Sequence, residues 1–263
     1  WHGDLKARPL MIIRGGIFSS SSEFLAERFL WMQFFEQGPF NVLIIENSSG
    51  PDFIFNNKDI SVGGFFEAQQ NLWIANKLKS LDEPLSKIIS SVHLMGISLG
   101  GQGVLLAHQW NEMNNSPFES FLAYCPVVSL RETSEALMGR GFFSVAADFW
   151  IAKRLQWLGQ KEETLAGYPW SSLFEMKPLY QTKLWHFTEK NFQINLLKSL
   201  QVNFSKNYLT SNYWGANNYN FGMVSPTQEM LILATQKDHL VPFELNSKKF
   251  MNFKENIQVV QFA

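Results

Sequence analysis

Apolar and polar positions along this chain fall into two rhythms. Short apolar runs bounded by turn residues predict buried strands at 9–13 (PLMII), 41–45 (NVLII), 91–95 (SVHLM), 121–125 (FLAYC), 229–234 (EMLILA) and 257–262 (IQVVQF). Between them the period changes to that of a helix. Phe24, Leu25, Phe29 and Met32 recur after a group of N-cap serines at 19–22 and before Gly38-Pro39. Leu72, Ala75 and Leu78 recur through 65–81, and Val104, Leu105, Ala107 and Trp110 follow the third strand. Further helices are expected at 142–158, 191–200 and 241–253, and polar loops from 46 to about 64 and over 208–221. Strands alternating with helices predict an α/β fold: a mostly parallel sheet flanked by helices, joined by right-handed crossovers.

The alternation breaks after Leu130, and no strand is legible again before Glu229. The expected organisation is a core of residues 1–130, a helical cap insertion at 131–222, and a second core part at 223–263. A cap would lie over the carboxyl ends of the strands, where ligands bind in open α/β sheets. The alternative is a set of helices packed on the flank of the sheet. Long connections in compact domains are usually functional, which favours the cap.

The densest signal is ISSVHLMGISLGGQGVLLA, residues 89–107. A strand turns through Gly96-Ile97-Ser98-Leu99-Gly100 into a helix. A corner this sharp strains its central residue, and the flanking glycines remove β-carbons that would collide. It pushes the Ser98 hydroxyl out at the carboxyl edge of the sheet, facing the positive end of the next helix. A tightly packed glycine turn would look similar, but the G-x-S-x-G match has the strand before and the helix after that a nucleophile elbow requires.

Several ordered features together resemble the α/β-hydrolase superfamily: the strand ending in Arg14-Gly15-Gly16, the corner at Ser98, and Lys237-Asp238-His239-Leu240-Val241-Pro242 after a late strand. The chain also resembles the YheT-like bacterial hydrolases, whose elbow reads G-x-S-L-G-G and in which a helical segment follows the next strand. The resemblance implies Ser98 as nucleophile and Asp238 as the acid that orients a histidine. Backbone N–H groups of Leu99 and Gly16 would form the oxyanion hole, with Ile17 beside Gly16. Arg14 stands where the family often shows histidine, and Gly15-Gly16 also reads as an ordinary tight turn. Glu46 and Asp52 after the second strand and Glu132 after the fourth compete with Asp238, but none follows the expected strand so closely.

The five histidines are His2, His93, His108, His186 and His239. His93 and His108 read as packing residues, His186 falls in the cap segment, and His239 adjoins Asp238 too closely to stack against it toward one serine. The family places its histidine on the loop after the last strand. The expectation is therefore that both ends of the chain are cut, and that the general base lies just past Ala263.

Composition adds exclusions. Lys and Arg number 22 against 23 Asp and Glu, so no attraction to nucleic acid is implied. Cys125 stands alone, which excludes an internal disulfide, and no clustered ligands suggest a metal; no cofactor motif is present either. No apolar run reaches the ~18 residues of a transmembrane helix. Targeting is unreadable in a chain that begins at Trp1. The 24 Phe and 9 Trp fit either a Phe-rich core or an apolar cavity, and Phe142, Phe143, Phe149, Trp150 and Trp157 are expected to turn an apolar face toward Ser98. The reading is a serine hydrolase cleaving small carboxylic esters with an apolar acyl group. Two alternatives stay open: a non-catalytic binding protein, and a peptidase or acyltransferase, on the same fold.

Overall fold

The computed structural model describes residues 6–20, 25–80, 84–138, 141–158, 184–186, 188–192, 202–203, 212–222, 227–252 and 256–263. Six strands form one sheet: β1 (Arg8–Arg14), β2 (Asn41–Ile45), β3 (Ile89–Ile97), β4 (Ser120–Tyr124), β5 (Glu229–Thr235) and β6 (Ile257–Phe262). Their order is β2-β1-β3-β4-β5-β6, and every neighbouring pair is parallel. All carboxyl ends therefore lie along one edge. The expected parallel α/β architecture is present.

Side chains alternate across each strand. Leu10 and Ile12 of β1, Val92 and Leu94 of β3, and Phe121 and Ala123 of β4 enter one core with helices α3 (Gly64–Ser80) and α5 (Leu99–Trp110). A β-carbon at Gly64 would stand 2.7 Å from Gly103 N, so small residues let these two helices approach. Phe65 and Trp110 then meet edge to face with centroids 5.3 Å apart. The other sheet face carries a smaller cluster of Ile13, Met95 and Trp31, the last from α1 (Leu25–Gln37).

Three local expectations are corrected. In α1, Phe29 and Met32 are exposed and Trp31 is buried, so the helix docks through a different stripe. The loop after β2 contains α2 (Pro51–Asn57), with proline in its first turn and the Glu46 carboxylate accepting the Phe53 N–H at 2.8 Å. Of the helix expected at 241–253, the described residues 241–252 form no α-helix; they hold 3-10 turns at Phe243–Leu245 and Ser247–Phe250. The buried Asn246 side chain between them accepts the Val128 N–H at 2.8 Å and donates to Pro242 O at 3.0 Å. These bonds hold its backbone at φ −122°, ψ −97°, off the helical path.

A short α4 (Pro84–Lys87) precedes β3. After β4 come α6 (Leu130–Met138), which periodicity did not reveal, and α7 (Gly141–Trp157). Ile151, Ala152 and Leu155 of α7 join the main buried cluster, as do Leu184, Phe192 and Tyr213. The expected helix at 191–200 lies largely outside the described residues; helical residues 188–192 precede its unseen part. A helical turn, Tyr213–Ala216, stands within the expected loop at 208–221. Among the described residues no helix is long and apolar enough to cross a membrane.

Candidate active site

The corner after β3 has the backbone that its sequence demands. Ser98 sits at φ 54°, ψ −114°, a region that L-residues rarely adopt and that costs on the order of 1–3 kcal/mol. Its surroundings over-determine that geometry. Ser98 N–H donates to Tyr124 O at 2.9 Å, and Ser98 O accepts from Gln102 N at 3.1 Å and Val127 N at 3.3 Å. A β-carbon at Gly96 would stand 2.3 Å from Gly100 O, and one at Gly100 would stand 2.4 Å from Gly15 O. Both glycines are thus steric requirements, one for the turn and one for the approach of the β1 loop.

Gly16 lies directly beside the serine. A β-carbon there would come within 3.4 Å of Ser98 Cβ and 3.9 Å of Ser98 Oγ. Leu99 opens α5, so its N–H has no acceptor within the helix. Both N–H donors suggested for an oxyanion therefore belong to backbone adjoining Ser98. Ile17 is exposed.

Asp238 follows β5, two strands from β3 along the same edge. Its Oδ1 accepts the N–H groups of Leu240 and Val241, each at 2.8 Å. These bonds fix the carboxylate by an Asx-type turn. Between the two corners stands Cys125, buried, at φ 43°, with its N–H donating to Leu233 O at 2.7 Å. Burial pushes the Cys125 thiol up to about 11, against the pull of the Thr235 backbone, and the adjacent Asp238 adds to the rise. The competing acids are engaged elsewhere. Glu46 caps α2 with its carboxyl raised by burial, Asp52 lies in that helix's first turn, and Glu132 meets Lys249 at 2.6 Å.

Among the described histidines none hydrogen-bonds to Ser98. His93 sits between Ser91 Oγ at 2.7 Å and Ser120 Oγ at 2.8 Å, within β3. His108 donates from Nε2 to Gln228 O, 2.9 Å away, and burial lowers its pKa to about 4. His186 and His239 are exposed, and His2 lies outside the described residues. Of the aromatics expected to face Ser98, Phe149 is exposed and Trp150 packs on the main cluster; the side chains of Phe142, Phe143 and Trp157 lie outside the described set.

Two residues to which the sequence assigned no role stand behind the β1 loop. Arg14 and Glu67 are both fully buried. Their signal was a charged residue closing an apolar strand and an acid on the inward stripe of α3, one position before Ala68.

No family model matches this chain, and neither does any curated protein sequence. Solved structures do. The 2,6-dihydroxy-pseudo-oxynicotine hydrolase superposes with a TM-score of 0.55 at 12% identity, over 97% of this chain and 54% of its own. This chain thus spans about half the length of that protein. Acetyl xylan esterase 1 from Thermoanaerobacterium sp. gives 0.52 at 10% identity, over 98% of this chain and 69% of its own. Dipeptidyl peptidase 4 of Porphyromonas gingivalis gives 0.50 at 13% identity, over 98% of this chain and 28% of its own. The chain has the α/β-hydrolase fold. Within that fold the Ser98 corner joins β3 to α5, and Asp238 follows β5. The finer YheT-like placement rests on the sequence alone.

Proposed function

We propose that this protein is a serine hydrolase that cleaves carboxylic esters through an acyl-enzyme on Ser98. The observation that carries the reading is the strained, bolted corner at Ser98 with Gly16 against its hydroxyl side. Ser98 Oγ attacks the ester carbonyl and loses its proton to a general base. The oxyanion that forms accepts from the Leu99 and Gly16 N–H groups, with the α5 N-terminus adding its dipole. Collapse expels the alcohol, which takes the proton, and water then releases the acid by the same steps. Asp238 orients the histidine base, a role that none of the described histidines fills at Ser98. A cap formed by the segment after β4 would supply an apolar acyl pocket.

A fluorophosphonate should label Ser98 in the intact gene product, and Ser98→Ala should abolish both labelling and turnover of p-nitrophenyl esters. Absence of both in the unmodified protein would sink the reading. A second reading is a ligand-binding protein without turnover on the same fold. It predicts ligand binding that survives Ser98→Ala. Product analysis separates esterase from peptidase or acyltransferase chemistry.

A further inference from the structure

The loop that carries Gly16 rests on a layer of polar side chains removed from water. Arg14 donates from Nε to Asn71 Oδ1 at 2.8 Å, from one terminal nitrogen to Glu46 O at 2.7 Å, and from the other to Gln70 Oε1 at 2.6 Å. Its guanidinium thus ties β1 to the end of β2 and to α3. Asn47 donates from Nδ2 to Gly15 O at 3.4 Å and accepts the Ser49 hydroxyl at 2.5 Å; Ser49 Oγ in turn accepts the Phe18 N–H at 2.8 Å. Both flanks of Gly16 are therefore pinned by the same short chain of bonds.

Glu67 closes this layer from α3. Its carboxylate lies against α5, where a β-carbon at Gly103 would stand 3.2 Å from Oε2. Neither oxygen reaches good hydrogen-bond geometry with a described group, although the Ser48 N–H and the Asn47 side chain lie close enough to favour its charge. The charged group acting on it is Arg14 of β1; α5 presents Gly103, and the loop after β2 presents uncharged Asn47 and Ser48. A buried carboxylate without full hydrogen bonding is unfavourable, and an apolar pair of similar volume commonly stabilises such a site. Exceptions of this kind concentrate at functional sites.

We propose that Arg14 and Glu67 are positioning residues for the oxyanion loop: ionised Glu67 balances the buried guanidinium and orients Asn47, and through Asn47 and Ser49 it holds residues 15–18 against Ser98. The inference rests on the serine-hydrolase reading for its catalytic meaning. Burial raises the Glu67 carboxyl to about 7, opposed by Arg14. Protonation below that pH removes the counter-charge and frees the Asn47 amide, so the loop tightens as pH rises through about 7.

Hydrogen exchange over residues 15–18, corrected for intrinsic rate and followed from pH 6 to 8.5, tests the clamp without needing turnover. Protection in the unmodified protein should rise several-fold across pH 7, and Glu67→Gln should flatten the profile at the low-protection level. Arg14→Lys keeps a charge but loses the fork, and should loosen the same segment. In parallel, ester kinetics should show kcat reduced by roughly 10- to 100-fold in Glu67→Gln with KM within about twofold, the split expected of lost oxyanion alignment. A flat profile in the unmodified protein overturns the clamp and needs no variant to fold. So does a Glu67→Gln protein that is merely less heat-stable while loop exchange and kcat stay unchanged. A loop that responds, in a protein whose Ser98 never takes a fluorophosphonate, overturns the hydrolase reading and with it the catalytic role.

Discussion

The two corners proposed to carry the chemistry leave parallel strands at the same sheet edge, yet they are built in opposite ways. At Ser98 the backbone is strained, buried neighbours grip it from β4 and α5, and glycines clear its path. At Asp238 the corner is largely exposed and organises itself through two bonds from its own carboxylate to Leu240 and Val241. A nucleophile must be held in a conformation that the chain disfavours, so it needs tertiary support. An acid needs only a fixed carboxylate, which a local turn supplies. The first corner should therefore respond to packing changes and the second to changes in its own side chain.

The largest expected effect is chemical. Asp238→Asn keeps an acceptor for both N–H groups and removes the charge; ester kcat should fall by roughly 10³- to 10⁴-fold with the melting temperature little changed. Equal kcat in both proteins would remove Asp238 from the machinery. Gly100→Ala comes next, because its β-carbon meets the Gly15 carbonyl at 2.4 Å, a backbone atom that cannot swing aside. Overpacking should outweigh the gain in helix propensity and cost about 2–3 kcal/mol in denaturant unfolding. A neutral result would mean that the corner is not gripped as described. Ser98→Gly should be about 1 kcal/mol more stable than Ser98→Ala, since only glycine relieves a positive φ.

The smallest effect sits between the corners. Cys125 is held as a thiol by burial and then by Asp238, so iodoacetamide should react slowly at pH 8 and faster only as pH approaches about 11. Asp238→Asn removes the negative charge, lowers the thiol's pKa and should speed alkylation several-fold at fixed pH. No change would separate Cys125 from Asp238 and with it the picture of one continuous edge.

How far the sequence could be read depended on the reach of each signal. All six strands were legible because apolar runs and their punctuation are local, and so was the corner, whose glycines and serine are consecutive. The stripe on α1 was misjudged because Phe29, Trp31 and Met32 all satisfy apolarity; which of them is buried depends on where Ile13 and Met95 stand. The break at Asn246 was invisible because its partner Val128 is 118 residues away.

The sequence by itself determined the alternation of strand and helix, the place of Ser98 at a strand-to-helix corner, and the position of Asp238 after a late strand. Each follows from the period of side chains or from the allowed backbone of glycine, properties carried by neighbouring residues. Tertiary structure alone decided that Gly16 would lie against Ser98, that Cys125 would stand beside Asp238, and that Arg14 would meet Asn71 across 57 positions of chain. Those contacts form only when separate strands and helices share one core. The burial that brings them together also sets the unusual acidities of Glu67 and Cys125.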